Sequence, residues 1–428
     1  MAFASPSLLF SNTSQLVTCA GAPRARRGEE MRELAMLDNG AVAVTEGIIE
    51  AVGPRDELER RYADHERVDC GGRVLMPGLV DSHTHAIFGR PRADEQEMRA
   101  AGLDYMEIAK RGGGIHSSVR DLRARTEEEL ISLAVPRLSR LAAHGTTTVE
   151  VKSGYGLTLD DELKTLQVIR KLASIVHLRL VPTFLGAHEI PIEARVTADG
   201  RSNYISLLVH EMIPRVAGQG LARFADVFCE PGAYTVAESR TILSAAKAAG
   251  LRVKLHADEL RPSGGAELAV ELGATSADHL GAVTDAGIEA LAASDTVATL
   301  LPGTLLFLGK DRQAPARALL DRGAAVALAS DFNPGTSPTP NFPFILTLAV
   351  SQLRMSVAEA ILAATVNGAA ALGIAGETGQ LAPGFRADLA LFDIDDVREL
   401  PYWYADQRCV ATWVSGRGNE TAATGRVA

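Results

Sequence analysis

Cysteine is scarce in this sequence. Cys19, Cys70, Cys229 and Cys409 are spread over 428 residues without a CxxC pair. That excludes a disulfide-stapled scaffold and points to a reducing, cytoplasmic compartment. Long apolar runs are lacking as well. No stretch of 18 or more apolar residues occurs, so no membrane helix is expected. The opening MAFASPSLLFSNTSQLVTC has no basic stretch ahead of its short apolar patch, and no secretory signal is expected. Basic charge is in deficit: 43 Lys and Arg against 53 Asp and Glu leave a formal net charge of −10. This argues against nucleic acid or an anionic membrane as the main partner. Two groups of catalytic motif are absent too. No GxxxxGK[ST] occurs, nor a GxGxxG at a strand-to-helix turn, which rejects nucleotide binding. No GxSxG occurs and no cysteine stands in a Cys–His setting, so a serine or cysteine nucleophile has no support.

What is there is an ordinary globular composition, 46% hydrophobic and 22% charged, with ample material for a core. Eight short β-branched runs recur: LMPGLV (75–80), TTTVEV (146–151), LRLVPTFL (178–185), ADVFC (225–229), LRVKL (251–255), TSAD (275–278), TVATLL (296–301) and AVALAS (325–330). Amphipathic segments lie between them. Thr126 with Glu129 and Thr235 with Glu238 have capping-box spacing, and Gly145, Gly250, Gly273 and Gly323 stand where helices should stop. Strand then helix, eight times over, predicts a closed TIM-like (β/α)8 barrel, an α/β fold. The ends differ. Residues 37–53 read as a hairpin turning at Glu46-Gly47, and 381–416 as short strands; helices are expected at about 341–353 and 356–372. The expected organisation is a small β-sandwich built from 1–74 and 381–428, around a barrel over 75–380.

His83-Thr84-His85 follows the first run. Residues i and i+2 of an extended segment face the same side, so both imidazoles point to one centre. His256 ends the fifth run, His279 the sixth and Asp331 the eighth, while His188 follows the third. Five of ten histidines thus fall where such barrels carry their chemistry, at the C-terminal strand ends. Imidazoles with a carboxylate can hold zinc, iron or another borderline metal. Hydrolysis also needs a proton carrier, and Glu259 lies three residues past His256. Plainer roles exist for both acids: Glu259 as a solvated helix-start acid, Asp331 as an N-cap. Two glycine-rich loops, 112–115 and 152–156, can cradle an anion or simply turn the chain, and Tyr155 between two glycines can touch a ligand. Arg90 and Arg92 follow the HxH loop, where an arginine can hold a carboxylate through two bonds.

PGLVDSHTH, HADE, the strand-six histidine, SDFNPG and GQLAPGFRADLALFD together resemble the amidohydrolase superfamily over nearly the whole chain. FGRPR, RGGGIHSSV, VEVKSGYGL, PTFLGAHEIP and SDFNPGTSPTPN narrow the resemblance to the imidazolonepropionase family. That resemblance implies hydrolysis of 4-imidazolone-5-propanoate, a small-molecule substrate, to N-formimidoyl-L-glutamate in histidine degradation, with one zinc or iron ion. It implies His83, His85, His256 and Asp331 as metal ligands. It implies Arg92, Tyr155, His188, Glu259, Asn333, Gly335 and Thr336 as substrate contacts, and Asp331, Glu259 and His279 as catalytic groups. The register of the match falls on Arg92; Arg90 adds a second candidate clamp two residues earlier. No carboxylated lysine is expected, because Lys152 ends the second run and not the fourth. The family also makes a homodimer an expectation. Two rivals stand beside this reading. A cytosine- or guanine-type deaminase shares the metal motifs but has no evident use for Arg92, Tyr155 and His188. A barrel scaffold that has lost its metal would have eroded ligand positions, and here every one is filled.

Overall fold

The protein is described from a computed structural model covering residues 7–103, 107–108 and 111–420. Of the two terminal regions expected to meet, residues 1–6 and 421–428 lie outside it.

The first strands in chain order are β1 (Leu8–Val17), β2 (Met36–Asp38), β3 (Gly40–Thr45), β4 (Ile48–Pro54) and β5 (Glu66–Pro77). Eight more follow: β6 (Leu79–Asp81), β7 (Thr146–Lys152), β8 (Arg179–Ala187), β9 (Phe224–Cys229), β10 (Arg252–Ala257), β11 (Ser276–His279), β12 (Val297–Leu300) and β13 (Val326–Leu328). The last are β14 (Leu389–Phe392), β15 (Cys409–Val414) and β16 (Arg417–Glu420).

Strands β6 to β13 pair in parallel in strict chain order. The ring closes where Thr84 bridges Phe332, with His85 N–H donating to Phe332 C=O (2.9 Å) and Asp331 N–H to His83 C=O (3.1 Å). All eight expected runs are barrel strands, with one adjustment. Residues 75–77 belong to β5, and the barrel strand starts only after Gly78, where a Cβ would lie 2.1 Å from Thr147 Oγ1. Both capping boxes form, and Gly145, Gly250, Gly273 and Gly323 all take positive φ. The stretch 356–372 is not one helix but two, Val357–Ala363 and Val366–Ala371. The ladder breaks because Ala364 C=O accepts from Val80 N–H of β6 (2.8 Å) and Thr365 Oγ–H bonds back to Ile361 C=O (2.7 Å).

The termini build one hydrogen-bonded sheet in the order β16-β15-β14-β5-β1-β3-β4, with β2 beside β1. Glu46 (φ 52°) and Gly47 (φ 79°) both turn left-handed, as the β3–β4 hairpin requires. Phe10 of β1 and Trp413 of β15 are three strands apart in that order, yet their rings touch edge to face at 4.9 Å. Strands so ordered lie roughly 14 Å apart in a flat sheet. The sheet therefore folds over a shared core of Leu8, Phe10, Val42, Leu75, Leu389 and Trp413. The twelve-residue β5 joins this sandwich to the barrel.

Candidate metal centre and active site

His83 and His85 emerge from β6, while Thr84 between them turns outward to donate to Glu150 C=O (2.6 Å). His83 Nε2 and His85 Nε2 stand 3.3 Å apart, and His256 Nε2, at the end of β10, is 3.5 Å from His85 Nε2. Asp331 Oδ1 is 3.7 Å from the first and 3.5 Å from the second. The side chains are buried. Nδ1 of His83 donates to Asp278 Oδ2 at 2.6 Å, which leaves its Nε2 a bare lone pair. Lone pairs crowded together at buried positions call for a cation among them. The set of three imidazoles and one carboxylate fits a metal ion.

Burial, together with neighbouring positive groups, holds His83 and His85 well below the usual imidazole range, so both imidazoles are neutral. Burial pushes Asp331 up to about 6, against the Thr304 hydroxyl that donates to its Oδ2 at 2.6 Å. Asp331 is no helix cap. Its φ of 53°, like the 80° of His279, is left-handed, a conformation that costs about 1–3 kcal/mol in a non-glycine residue. Such strain is held by the surrounding bonds and aims both side chains at the centre.

His279 packs 5.2 Å, ring to ring, from both His83 and His256. Its Nε2 is 3.7 Å from Glu259 Oε2. Glu259 is buried, not a solvated acid; Glu230 holds its segment by accepting from the amides of Glu259 (3.1 Å) and Arg261 (2.9 Å). Burial, and then the charge of Asp331, holds Glu259 well above the usual carboxylate range. A carboxyl whose protonated form is favoured by its surroundings can donate as well as accept.

The rim is aromatic and cationic. His188 stacks on His85 (5.0 Å, 18° between planes), and Tyr155 lies 5.4 Å from His188. Nδ1–H of His188 donates to Gly154 C=O (3.0 Å), so Nε2 is its free acceptor. Arg92 is near enough for its charge to act on both Tyr155 and His188. Its side chain is only 10% exposed, and its buried Nε has no hydrogen-bond partner among the described residues, Glu95 Oε1 lying 3.7 Å away. Arg92 rests on bare Gly335: a Cβ there would overlap its Nη2, at 1.1 Å. Arg90 is exposed instead, with its backbone amide bound to Asp121 (2.9 Å). Asn333 and Thr336 reach the same loop, but their polar side-chain atoms shape it. Asn333 Oδ1 accepts from Gly335 N–H and Thr336 N–H (both 2.8 Å).

Neither glycine-rich loop is an open anion cradle. Gly154, Gly156 and Leu157 point their amides at buried Glu162, and Gly114 points its amide at buried Glu95 (2.7 Å). The anion in each loop is the protein's own. Sequence reasoning missed these two acids. It also missed five groups buried beneath the centre: Glu150, Asp226, Lys254 and Asp278, and Lys152 in that role. A signal existed. Charged residues sit inside runs otherwise apolar, as in TVEVK and RVKLH.

The profile of the amidohydrolase family matches residues 74–418, and that of a bacterial imidazolonepropionase-like composite domain matches 40–64. Imidazolonepropionase from Solibacter usitatus is 47% identical over 95% of this chain and 97% of its own length. That from Symbiobacterium thermophilum is 50% identical over 92% and 93%. Among solved structures, E. coli guanine deaminase superposes with a TM-score of 0.73 at 16% identity, covering 97% of this chain and 99% of its own. A Xanthomonas campestris adenosine deaminase with bound zinc gives 0.69 at 19%, covering 96% and 92%. At that identity the likeness to the two deaminases shows the fold alone. The chain belongs to the amidohydrolase family and, within it, to the imidazolonepropionase family.

Proposed function

We propose that this protein hydrolyses the cyclic amide of 4-imidazolone-5-propanoate to N-formimidoyl-L-glutamate. One zinc or iron ion would be held by His83, His85, His256 and Asp331; the donor set suits either. When bound, such an ion supplies Lewis acidity that makes water nucleophilic near neutral pH.

The remaining steps belong to the chain. Water adds to the ring carbonyl and the C–N bond breaks, leaving a carboxylate and a formimidoyl nitrogen. Asp331 accepts the proton of the attacking water. His279, neutral through burial, donates an N–H to the oxygen on which charge develops. Glu259 holds the ring nitrogens and returns a proton to the leaving one. Arg92 pairs the propanoate, with Tyr155 and His188 flanking it. The loop of Asn333, Gly335 and Thr336 forms the wall behind. The observation that carries the substrate reading is the buried Arg92 with its unpartnered Nε beside the metal-type cluster. An uncharged base would offer that N–H no carboxylate acceptor. A reducing, cytoplasmic setting is the reading supported by four buried cysteines that form no disulfide.

The test is turnover by the purified protein, chelated and then given zinc or iron, on imidazolonepropanoate, cytosine and guanine. Metal-dependent loss of imidazolonepropanoate alone is expected. Deamination of either base in preference to it would overturn the proposal.

A further inference from the structure

Five ionisable side chains fill the barrel interior directly beneath the histidines: Glu150 and Lys152 of β7, Asp226 of β9, Lys254 of β10 and Asp278 of β11. All five are wholly buried. Barrel interiors are usually packed with branched apolar residues. Replacing a buried ion pair with such residues is often neutral or stabilising, so stability alone does not account for five charges.

Their contacts form two branches from one carboxylate. Glu150 Oε2 lies 2.8 Å from Lys152 Nζ and accepts from Lys254 Nζ at 3.1 Å, while its Oε1 accepts from Thr183 Oγ1 at 2.5 Å. On one branch Lys152 Nζ donates to Asp226 Oδ2 (2.8 Å), which lies 3.0 Å from His256 Nδ1, though off the axis of a hydrogen bond. Asp226 Oδ1 also accepts from the His256 amide (3.2 Å). On the other, Lys254 Nζ is 3.3 Å from Asp278 Oδ2, which accepts from His83 Nδ1 (2.6 Å). Ser276 Oγ–H holds the second oxygen of Asp278 (2.6 Å), and Ser82 C=O takes another proton of Lys254 (2.6 Å).

We propose that Asp226 and Asp278 are positioning residues for the metal centre, each orienting one ligand imidazole so that its Nε2 faces the ion, with Lys152 and Lys254 anchoring them to Glu150. The inference rests on the metal reading of the cluster above. One physical point supports it. A carboxylate at Nδ1 fixes the ring's tautomer and orientation and strengthens the opposite nitrogen as a ligand. Among the described residues His85 has no such partner; its Nδ1 is buried without a hydrogen bond. The two branches therefore serve His83 and His256 only.

The experiment is competition for zinc between a chromophoric chelator and the full-length protein, for the native chain, Asp278→Asn and Ser276→Ala. The thermal midpoint of each metal-free form is measured in parallel. Loss of an outer partner of a ligating histidine typically weakens metal binding by about 10–100-fold. That is expected for Asp278→Asn, with a smaller, several-fold loss for Ser276→Ala. If Asp278→Asn does not fold, Ser276→Ala decides alone. Zinc held as tightly as by the native chain overturns the proposal, even where the metal-free midpoint has dropped, since that marks a packing role only. A native chain that takes up no zinc and no iron sinks the metal reading itself, a separate result.

Discussion

Arg92 holds a full positive charge in a side chain 10% exposed, with Glu95 Oε1 3.7 Å from its Nε. Glu95 also meets Arg99, whose Nη2 is 3.4 Å from Oε2. Among the described residues the Nε of Arg92 has no hydrogen-bond acceptor, and a substrate carboxylate would supply one. Removing one partner of a buried charge pair costs about 2–5 kcal/mol, roughly 30- to several-thousand-fold in binding. Arg92→Ala should therefore raise KM for imidazolonepropanoate steeply while metal content stays the same. Arg92→Lys should recover part of it, because an ammonium lacks the planar fork. Arg90→Ala should change KM by no more than a few-fold, since that side chain is exposed. Steady-state kinetics with metal analysis on the three variants would show it; a silent Arg92→Ala places the anion elsewhere.

At the scale of elements, the helix Val236–Ala248 that covers β9 and β10 shows how local chemistry holds the barrel. Thr235 Oγ1 accepts from Glu238 N–H (3.3 Å), and Glu238 returns a carboxylate oxygen to Thr235 N–H (2.8 Å). Arg201, from the preceding crossover, grips both Glu238 oxygens at 2.7 Å. Its hydrogen bonds, chiefly, hold Glu238 down to about 2, from 4.5 when free. A carboxylate depressed in the folded state adds stability that is complete above its unfolded value and fades as pH falls through the folded one. The native chain should therefore melt above Glu238→Gln at pH 7. That margin should shrink between about pH 4.5 and about 2. Thermal midpoints of the pair across pH would test this, and a margin constant with pH would refute it. Thr235→Ala, which loses the cap alone, should cost about 1 kcal/mol.

For the whole molecule, the ion and the fold are linked by mass action. A ligand at 1,000 times its Kd adds about 4 kcal/mol to the folded state, which for a chain this long is a shift of several degrees. Chelation should lower the thermal midpoint by that order and leave the far-ultraviolet circular dichroism unchanged. The large barrel core, from Val149 and Leu255 to Leu328, does not need the ion to stay buried. Loss of secondary structure on chelation would show that the centre is part of the fold's support. Among the described residues no helix is long and apolar enough to cross a membrane.

The sequence by itself determined the eight barrel strands, the two capping boxes and the hairpin at Glu46-Gly47. Those features rest on local alternation, hydroxyl-to-carboxylate spacing and left-handed turns, all short-range. It also showed that His83, His85, His256, His279 and Asp331 stand at strand ends, because strand ends are marked by where apolar runs stop. Only the tertiary structure decided what lies between strands. In the sequence Glu150, Asp226, Lys254 and Asp278 are scattered charges in apolar runs; parallel pairing brings them together under His83 and His256. Likewise the glycine loops looked open to an anion until Glu95 and Glu162 arrived from neighbouring helices. A single strand carries no record of the strand that will pair with it, and closing a barrel sets residues a hundred or more positions apart within hydrogen-bond distance.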